Sequence, residues 1–460
     1  MPPAPGTAGS WTSICCGGPD RAAAKSRQPL SRPACACYET HMTASPAPRG
    51  ACPTLENPMA VADGLLARFR PETGLSPDQL TALADAADTH GNGLIEVTAR
   101  GNLQVRGLSE SSAAPFRDAL ANAGIAAQPA PAIETSPLAG DDPKAMADPR
   151  PLARALRAVC NDALAHGSLS PKLSIVLVTG GQVLLDGLKA DIRLIARPDG
   201  WALELGTDTL GELDETDIPA AVAVILEALQ AEGPRARASD IASLPLAAKI
   251  KNLRPLDHSS VRPSSYMVGP LSLSDHAPAL RVGLPFGQVR ARQVRDLAQI
   301  MAEQGVAEAR TAPDRSLVLV GFDTSTLRAL APALARVGYW TRPDATGVKL
   351  SICSGAEDTD AGVIQAAELA QGFYSAAPEL IDGSFHIHVS TCAKGCPHAG
   401  RPGIVLDGSQ LTLYRAPDAK PLATLDPAAI ETGIVSLADR IRDTRQPGET
   451  TLSVLGRLGQ

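Results

Sequence analysis

Apolar and polar positions along the chain follow two periods, and the order of those periods repeats. The first well-marked unit predicts a helix over Pro77–Thr89, with Ser76 placed to cap its start and Gly91 to stop it. Short apolar runs at Leu94–Thr98 and Leu103–Arg106 read as strands, and Ser111–Ala123 as a closing helix. Shifting the chain by 214 residues superposes a second copy. Gln79 falls on Gln293, Leu83 on Leu297, Gly91 on Gly305, Leu103 on Leu317, Gly107 on Gly321 and Gly124 on Gly338, without a gap. Just upstream, Asp63-Gly64-Leu65-Leu66 is paired with Arg281-Val282-Gly283-Leu284 across a short length change. Each copy is expected to form strand, helix, strand, strand and helix.

A different kind of segment follows each copy. After the first, Leu152–His166 predicts a helix, Leu173–Val178 a buried strand ending at Thr179-Gly180-Gly181, and Ala190–Ala196 and Trp201–Leu205 further strands. After the second, Val363–Gln371 predicts a helix, and a strand alternates Phe385, Ile387 and Val389 with polar residues. Placing Ile175 on Ile387 puts Gly180 on Cys392, so these segments are expected to be related as well. Linkers are expected at Gln128–Pro149, rich in Pro, Ala and Asp, and at Arg254–Ala277.

Composition narrows the classes. The chain of 460 residues is 44% hydrophobic and only 3% aromatic, so its cores rest on Leu, Val, Ile and Ala. A formal net charge of −7 argues against a nucleic-acid binder. No apolar run approaches the roughly 20 residues of a membrane helix; the longest, Ala220–Leu229, is broken by Glu227. A soluble cytoplasmic protein is expected. The first 41 residues hold Cys15, Cys16, Cys35 and Cys37 among Pro, Gly, Ser and Ala, without a period, and read as a disordered extension ahead of Met42. Nine scattered cysteines do not make a disulfide framework.

The candidate chemistry lies in Ser384–His398. Its strand runs into a turn where Cys392 and Cys396 bracket three residues, and Gly395 lets the backbone curl. Cys353 ends another short apolar run, Leu350-Ser351-Ile352. Three readings stand beside one another: a surface turn, a zinc site shared with His386, His388 or His398, and an iron–sulfur cluster seated behind strands. The distance between the cysteines in a large chain favours the last.

Two half-repeats alternating with two α/β segments, the last carrying the Cys-x3-Cys loop, resembles the nitrite/sulfite reductase superfamily. Within it the chain is most similar to the precorrin-3B synthase family. The residues that carry the likeness are Arg49-Gly50-Ala51-Cys52-Pro53, Thr98–Gly107, Ala190–Leu194 and His388–His398. The likeness covers about residues 48 to 455.

The resemblance implies an α+β, internally duplicated architecture: two ferredoxin-like half-repeats (48–127 and 276–342) alternating with two α/β domains (149–245 and 346–455), behind an extension at 1–47. It implies a [4Fe–4S] cluster on Cys353, Cys392 and Cys396. The family's fourth cysteine corresponds to Thr359, which leaves Asp358, Asp360, Cys52 or Thr359 itself as fourth ligand. It implies recognition of a carboxylate-fringed tetrapyrrole by Arg100, Arg106 and Lys394, whose fork or point charge suits carboxylates; Lys172, Lys189, Arg193 and Arg401 are lesser candidates. The repeat partners of Arg100 and Arg106 are Asp314 and Val320, so only one copy keeps the charge.

The activity implied is that of an oxidoreductase, an O2-dependent monooxygenase of aerobic cobalamin biosynthesis. Its substrates are precorrin-3A and O2, and it needs non-haem iron and an electron donor. His386, His388 and His398 are the candidate iron ligands. The alternatives are a sulfite or nitrite reductase with siroheme bridged to the cluster through Cys396, and an iron–sulfur electron carrier. The carrier needs no duplicated, arginine-lined scaffold.

Overall fold

The computed structural model describes residues 52–61, 63–256, 268–343, 350–352, 372, 374–382, 384, 386–390, 403–407, 410–414, 423–424 and 430–458. The expected extension at 1–47 and the helix expected at Val363–Gln371 lie outside the described residues.

The first copy comprises β1 (Met59–Val61), β2 (Gly64–Phe69), α1 (Pro77–His90), β3 (Leu94–Val97), β4 (Leu103–Leu108) and α2 (Ala113–Asn122). After it come β5 (Ala132–Glu134), α3 (Arg150–His166), β6 (Ser174–Val178), β7 (Ile192–Arg197), β8 (Gly200–Leu205), β9 (Asp208–Leu213), α4 (Ile218–Glu232) and the short α5 (Ala238–Ile241). The second copy holds β10 (Gly269–Ser272), β11 (Pro278–Gly283), β12 (Gln288–Arg290), α6 (Ala291–Glu303), β13 (Glu308–Ala312), β14 (Ser316–Val320) and α7 (Leu327–Arg336). The last part contains β15 (Leu350–Ile352), β16 (His386–Ser390), β17 (Gly403–Asp407), β18 (Gln410–Tyr414), β19 (Ala423–Thr424) and two terminal helices, Ile430–Thr444 and Thr451–Leu458. Two stretches expected as linkers therefore contain strands. β5 pairs with β6 and β10 with β11, because backbone hydrogen bonding to a neighbouring strand outweighs a local Pro-rich composition.

The duplication is visible in hydrogen bonds. Ser76 Oγ accepts from Gln79 N, and Gln79 Oε1 accepts from Ser76 N, closing the capping box at the start of α1. The same glutamine donates Nε2 to Ala123 O at 3.3 Å. In the second copy Gln293 Oε1 accepts from Arg290 N at the start of α6, and Gln293 Nε2 donates to Val337 O at 3.3 Å.

Each copy also lends backbone to the other. Val289 of β12 pairs with Ile95 of β3, and Leu75 bridges to Ala309 of β13; shifted by the repeat, these are one contact seen twice. Arg295 of α6 forks onto Asp85 and Asp88 of α1 at 2.7 and 2.5 Å. One core runs through both copies, with Ala67, Phe69, Ile95, Val105, Leu83 and Phe116 joined to Leu280, Val282, Leu297, Leu317 and Leu319. Burial of such side chains, at roughly 25 cal/mol per Å² of apolar surface, makes the two copies one folding unit.

The strand register corrects one alignment. Arg68 of β2 lies opposite Gln104, and Arg281 of β11 opposite Val318, the repeat partner of Gln104. Arg281 therefore corresponds to Arg68, and not to Asp63 as local likeness suggested; pairing fixes register where a glycine-rich quartet does not.

The two remaining sheets share one plan. β5-β6-β7-β8-β9 and β15-β16-β17-β18-β19 are both five-stranded, with two parallel pairings followed by two antiparallel ones. Ile175 pairs with Ile192 and Ile387 with Ile404, the same separation of 17 residues along the chain. The expected equivalence of Ile175 and Ile387 agrees with both registers. Among the described residues no helix is long and apolar enough to cross a membrane.

Candidate functional site

The sheet of the first copy, β1-β2-β4-β3-β12, turns Ala67, Phe69, Val105 and Ile95 into the shared core. Strand periodicity then puts Arg68, Gln104, Arg106 and Glu96 on its other face, with Arg70 following at the end of β2. In the second copy the same positions of the face read Arg281, Val318, Val320 and Arg310. That face is covered: Leu138 and Val183 pack on Ala279, Ala312, Val318 and Val320. Gln182 exchanges hydrogen bonds with the Ser272 backbone at 2.7 and 3.2 Å, and Arg310 donates to Pro137 O at 2.9 Å. Leu138 follows β5 and Val183 follows β6, so the loops leaving the parallel strands of the first α/β sheet close the second copy's face.

On the first copy's face each arginine has its own environment. Arg106 is 8% exposed and forks onto Asp63 through Nε and Nη2 at 2.8 and 2.7 Å, with Glu96 3.8 Å from Nη1. Burial raises the Asp63 carboxyl, but the Arg106 hydrogen bonds and charge outweigh it, so it sits below its ordinary value. Arg68 donates Nε to Gln104 Oε1 at 2.5 Å, and Gln104 passes Nε2 to Glu96 at 2.7 Å. Among the described residues Arg68 has no ion-paired carboxylate. Burial lowers its guanidinium from the ordinary value, and nearby Cys52 and Glu96 offset part of that. Cys52 is half-buried with a free thiol, and it lies within electrostatic reach of Arg68.

The turn Thr98–Asn102 carries Arg100. Its backbone is pinned by the matching turn of the second copy, where Asp314 N donates to Ala99 O at 2.9 Å. Gly101, at φ +83°, fits so closely that a Cβ there would meet the Ala312 carbonyl at 2.9 Å. Arg100 reaches Glu134 Oε1 of β5 through Nε and Nη2 at 2.9 and 2.6 Å, and Lys189 O through Nη1 at 2.6 Å. Arg70 binds Asn102 Oδ1 at 3.1 Å and the Arg100 carbonyl, with Glu134 Oε2 3.8 Å away. Burial lowers the Arg70 guanidinium, Glu134 offsets part, and Arg100 adds to the depression.

Of the lesser candidates, Arg193 is spent internally. It donates to the carbonyls of Asp186 and Leu188 at 2.8 and 2.5 Å and lies 3.3 Å from Glu204, so it holds the loop that presents Lys189 O to Arg100. Lys172 and Lys189 are exposed. Cys353, Asp358, Thr359, Asp360, Cys392, Lys394, Cys396, His398 and Arg401 lie outside the described residues. His386 and His388 belong to β16, in register with Gly403 and Val405. Among the described residues no group of three or more His, Cys, Asp or Glu is gathered to hold a metal ion.

Cys353 follows directly on β15, and Cys392 comes two residues after the end of β16. Those two strands are adjacent and parallel, so they end at one edge of their sheet, where ligands of parallel sheets bind. Sequence reasoning missed Arg68, Arg70 and Glu134. The alternation Ala67-Arg68-Phe69-Arg70 could have found the first two, whereas Glu134 sat in a stretch taken for a linker.

The family model of the nitrite/sulfite reductase ferredoxin-like half domain matches residues 57–123, which span β1 to α2. The structure of Mycobacterium tuberculosis NirA superposes with a TM-score of 0.66 at 17% identity, over 85% of this chain and 83% of that one, and thus shares the fold. A curated protein from Sinorhizobium sp., named precorrin-3B synthase, is 34% identical over 429 residues, 89% of this chain and 93% of its own length. With that identity over most of both chains, this chain belongs to the precorrin-3B synthase family.

Proposed function

We propose that this protein is an oxidoreductase that converts precorrin-3A to precorrin-3B, an O2-dependent monooxygenase that hydroxylates C20 and closes a γ-lactone from the ring A acetate. The observation that carries the reading is the arginine-lined face of the first copy. Arg68, Arg70, Arg100 and Arg106 stand on one copy, whereas on the other copy's face Arg281 and Arg310 are bonded to the chain's own carbonyls and side chains and Val318 and Val320 are covered. A tetrapyrrole fringed with carboxylates fits donors of this kind.

The pseudo-symmetry supports where the rest of the site lies. In sequence, Cys353 and Cys392 follow β15 and β16 as the loops that cover the second face follow β5 and β6. We propose Cys353, Cys392 and Cys396 as the thiolate ligands of a [4Fe–4S] cluster. Asp358, Asp360 or Cys52 is the proposed fourth ligand, ahead of Thr359, whose hydroxyl is a weak ligand. Cys52 lies within electrostatic reach of Arg68. His386, His388 and His398 are the proposed ligands of the mononuclear iron.

In this mechanism Arg68 and Arg100 take substrate carboxylates and Lys394 adds a point charge. Arg106, clamped by Asp63, holds the strand in place. When bound, the cluster supplies electrons from an external donor and the iron supplies the O2 chemistry.

Purified anaerobically, the protein is expected to contain iron and acid-labile sulfide without siroheme, and to incorporate one atom of labelled O2 into precorrin-3A. Siroheme in stoichiometric amount, with a strong Soret band, refutes the reading in favour of a reductase. Serine at Cys353, Cys392 or Cys396 should each abolish the paramagnetic signal of the reduced cluster, while Thr359→Ala should leave it.

A further inference from the structure

We infer that Glu134 is a positioning residue, whose carboxylate aims Arg100 and Arg70 at a carboxylate of the tetrapyrrole; the inference rests on the function proposed above. Glu134 is 2% exposed and sits on β5, fixed by register between Ile133↔Ile175 and the end of the strand. It belongs to a different sheet from the arginines it meets.

The donor inventory shows what Glu134 leaves available. A guanidinium has five N–H groups. Arg100 spends Nε–H and one Nη2–H on a single oxygen, Oε1, and one Nη1–H on Lys189 O. Two N–H groups remain, on a side chain 31% exposed. Arg70 spends Nε–H on Asn102 and one Nη2–H on the Arg100 carbonyl, and keeps three.

The geometry is not that of a saturated brace. A carboxylate serving only to join two elements takes the parallel two-oxygen fork, the strongest arrangement open to Arg. Here both Arg100 bonds fall on Oε1. Among the described residues Oε2 is buried with no hydrogen-bond partner, 3.8 Å from Arg70 Nη2. Glu134 thus stands between two like charges, cancels one, and leaves a net positive pair with unspent donors. That pair is fixed from behind by the Asp314–Ala99 backbone bond and by Gly101 against Ala312. Such an arrangement is preorganised for one carboxylate.

The test uses the cluster-loaded protein and uroporphyrin III, a stable polycarboxylate tetrapyrrole, titrated by fluorescence. Glu134→Ala should weaken binding by about tenfold, the scale of an oriented charged hydrogen bond. Glu134→Gln keeps an oxygen at the Oε1 position and should bind within about threefold of the parent. With precorrin-3A, Glu134→Ala should raise KM and leave kcat near the parent value. Unchanged affinity in Glu134→Ala, with only a lower Tm, reduces Glu134 to a brace and overturns the inference. Equal weakening in Glu134→Gln overturns it too, because charge and not aim then matters. If the parent neither binds the probe nor turns over precorrin-3A, the proposed function itself has failed; if the parent does both and the variants match it, only the role of Glu134 has.

Discussion

Replacing Asp63 with Ala removes both oxygens that hold Arg106, and the structure sets the size of the effect. Arg106 is 8% exposed, its two bonds to Asp63 are 2.8 and 2.7 Å, and a second carboxylate, Glu96, lies 3.8 Å from Nη1. Breaking a buried ion pair from one side costs roughly 3–5 kcal/mol, because the other charge is left desolvated. Glu96 and the partial exposure of Asp63 reduce that to about 2–3 kcal/mol here. For a chain of this size the expected fall in Tm is roughly 2–3 °C, read by scanning calorimetry near pH 7. The Asp63 carboxyl is held below its ordinary 3.8, so the pair stabilises fully above that value. Its contribution fades as pH falls through the lower folded value, so parent and variant should converge only in that acid range. The double variant Asp63→Ala with Arg106→Met should regain much of the loss. An apolar residue is acceptable there in principle, as Val320 shows at the matching position of the second copy. A coupling between the two sites below about 0.5 kcal/mol in that cycle would refute the reasoning.

Two further outcomes follow from the geometry. Gly101→Ala should destabilise by about 1–3 kcal/mol in urea unfolding; the cause is the approach to Ala312 more than the positive φ, since Arg315 at the equivalent position adopts φ +59°. Cys160 is fully buried, and burial pushes its thiol up to about 11, with Arg157 offsetting part. It should resist Ellman's reagent at pH 8 until the protein unfolds, and rapid labelling of the native protein at Cys160, mapped by mass spectrometry, would contradict its placement in the core.

Elements with a strong local signal were legible in the sequence. The start of α1 and its Ser76 cap stand as expected and its end, His90, lies one residue beyond the expected Thr89, because a capping box and a glycine stop act within a few residues. The 214-residue repeat was legible because it preserved side chains, Gln79 and Gln293 above all, that make the same bond twice. β5 was not legible: three residues between prolines become a strand only through β6 beside them. The arginines were half legible. Their charge is plain in sequence, but whether a guanidinium is spent inside, as Arg193 is, depends on carbonyls that a distant loop brings to it.

The pairing of β12 with β3 carries a consequence for synthesis. β3 is complete at Val97, yet its partner begins at Gln288. At roughly 5–20 residues per second, a ribosome needs on the order of 10–40 s to reach that partner. Throughout that interval the nascent first copy displays an unpaired strand edge, the kind of surface that recruits foreign strands. The chain thus meets its greatest risk of aggregation halfway through its own translation, and slowing elongation between those points should lower soluble yield more than slowing it afterwards.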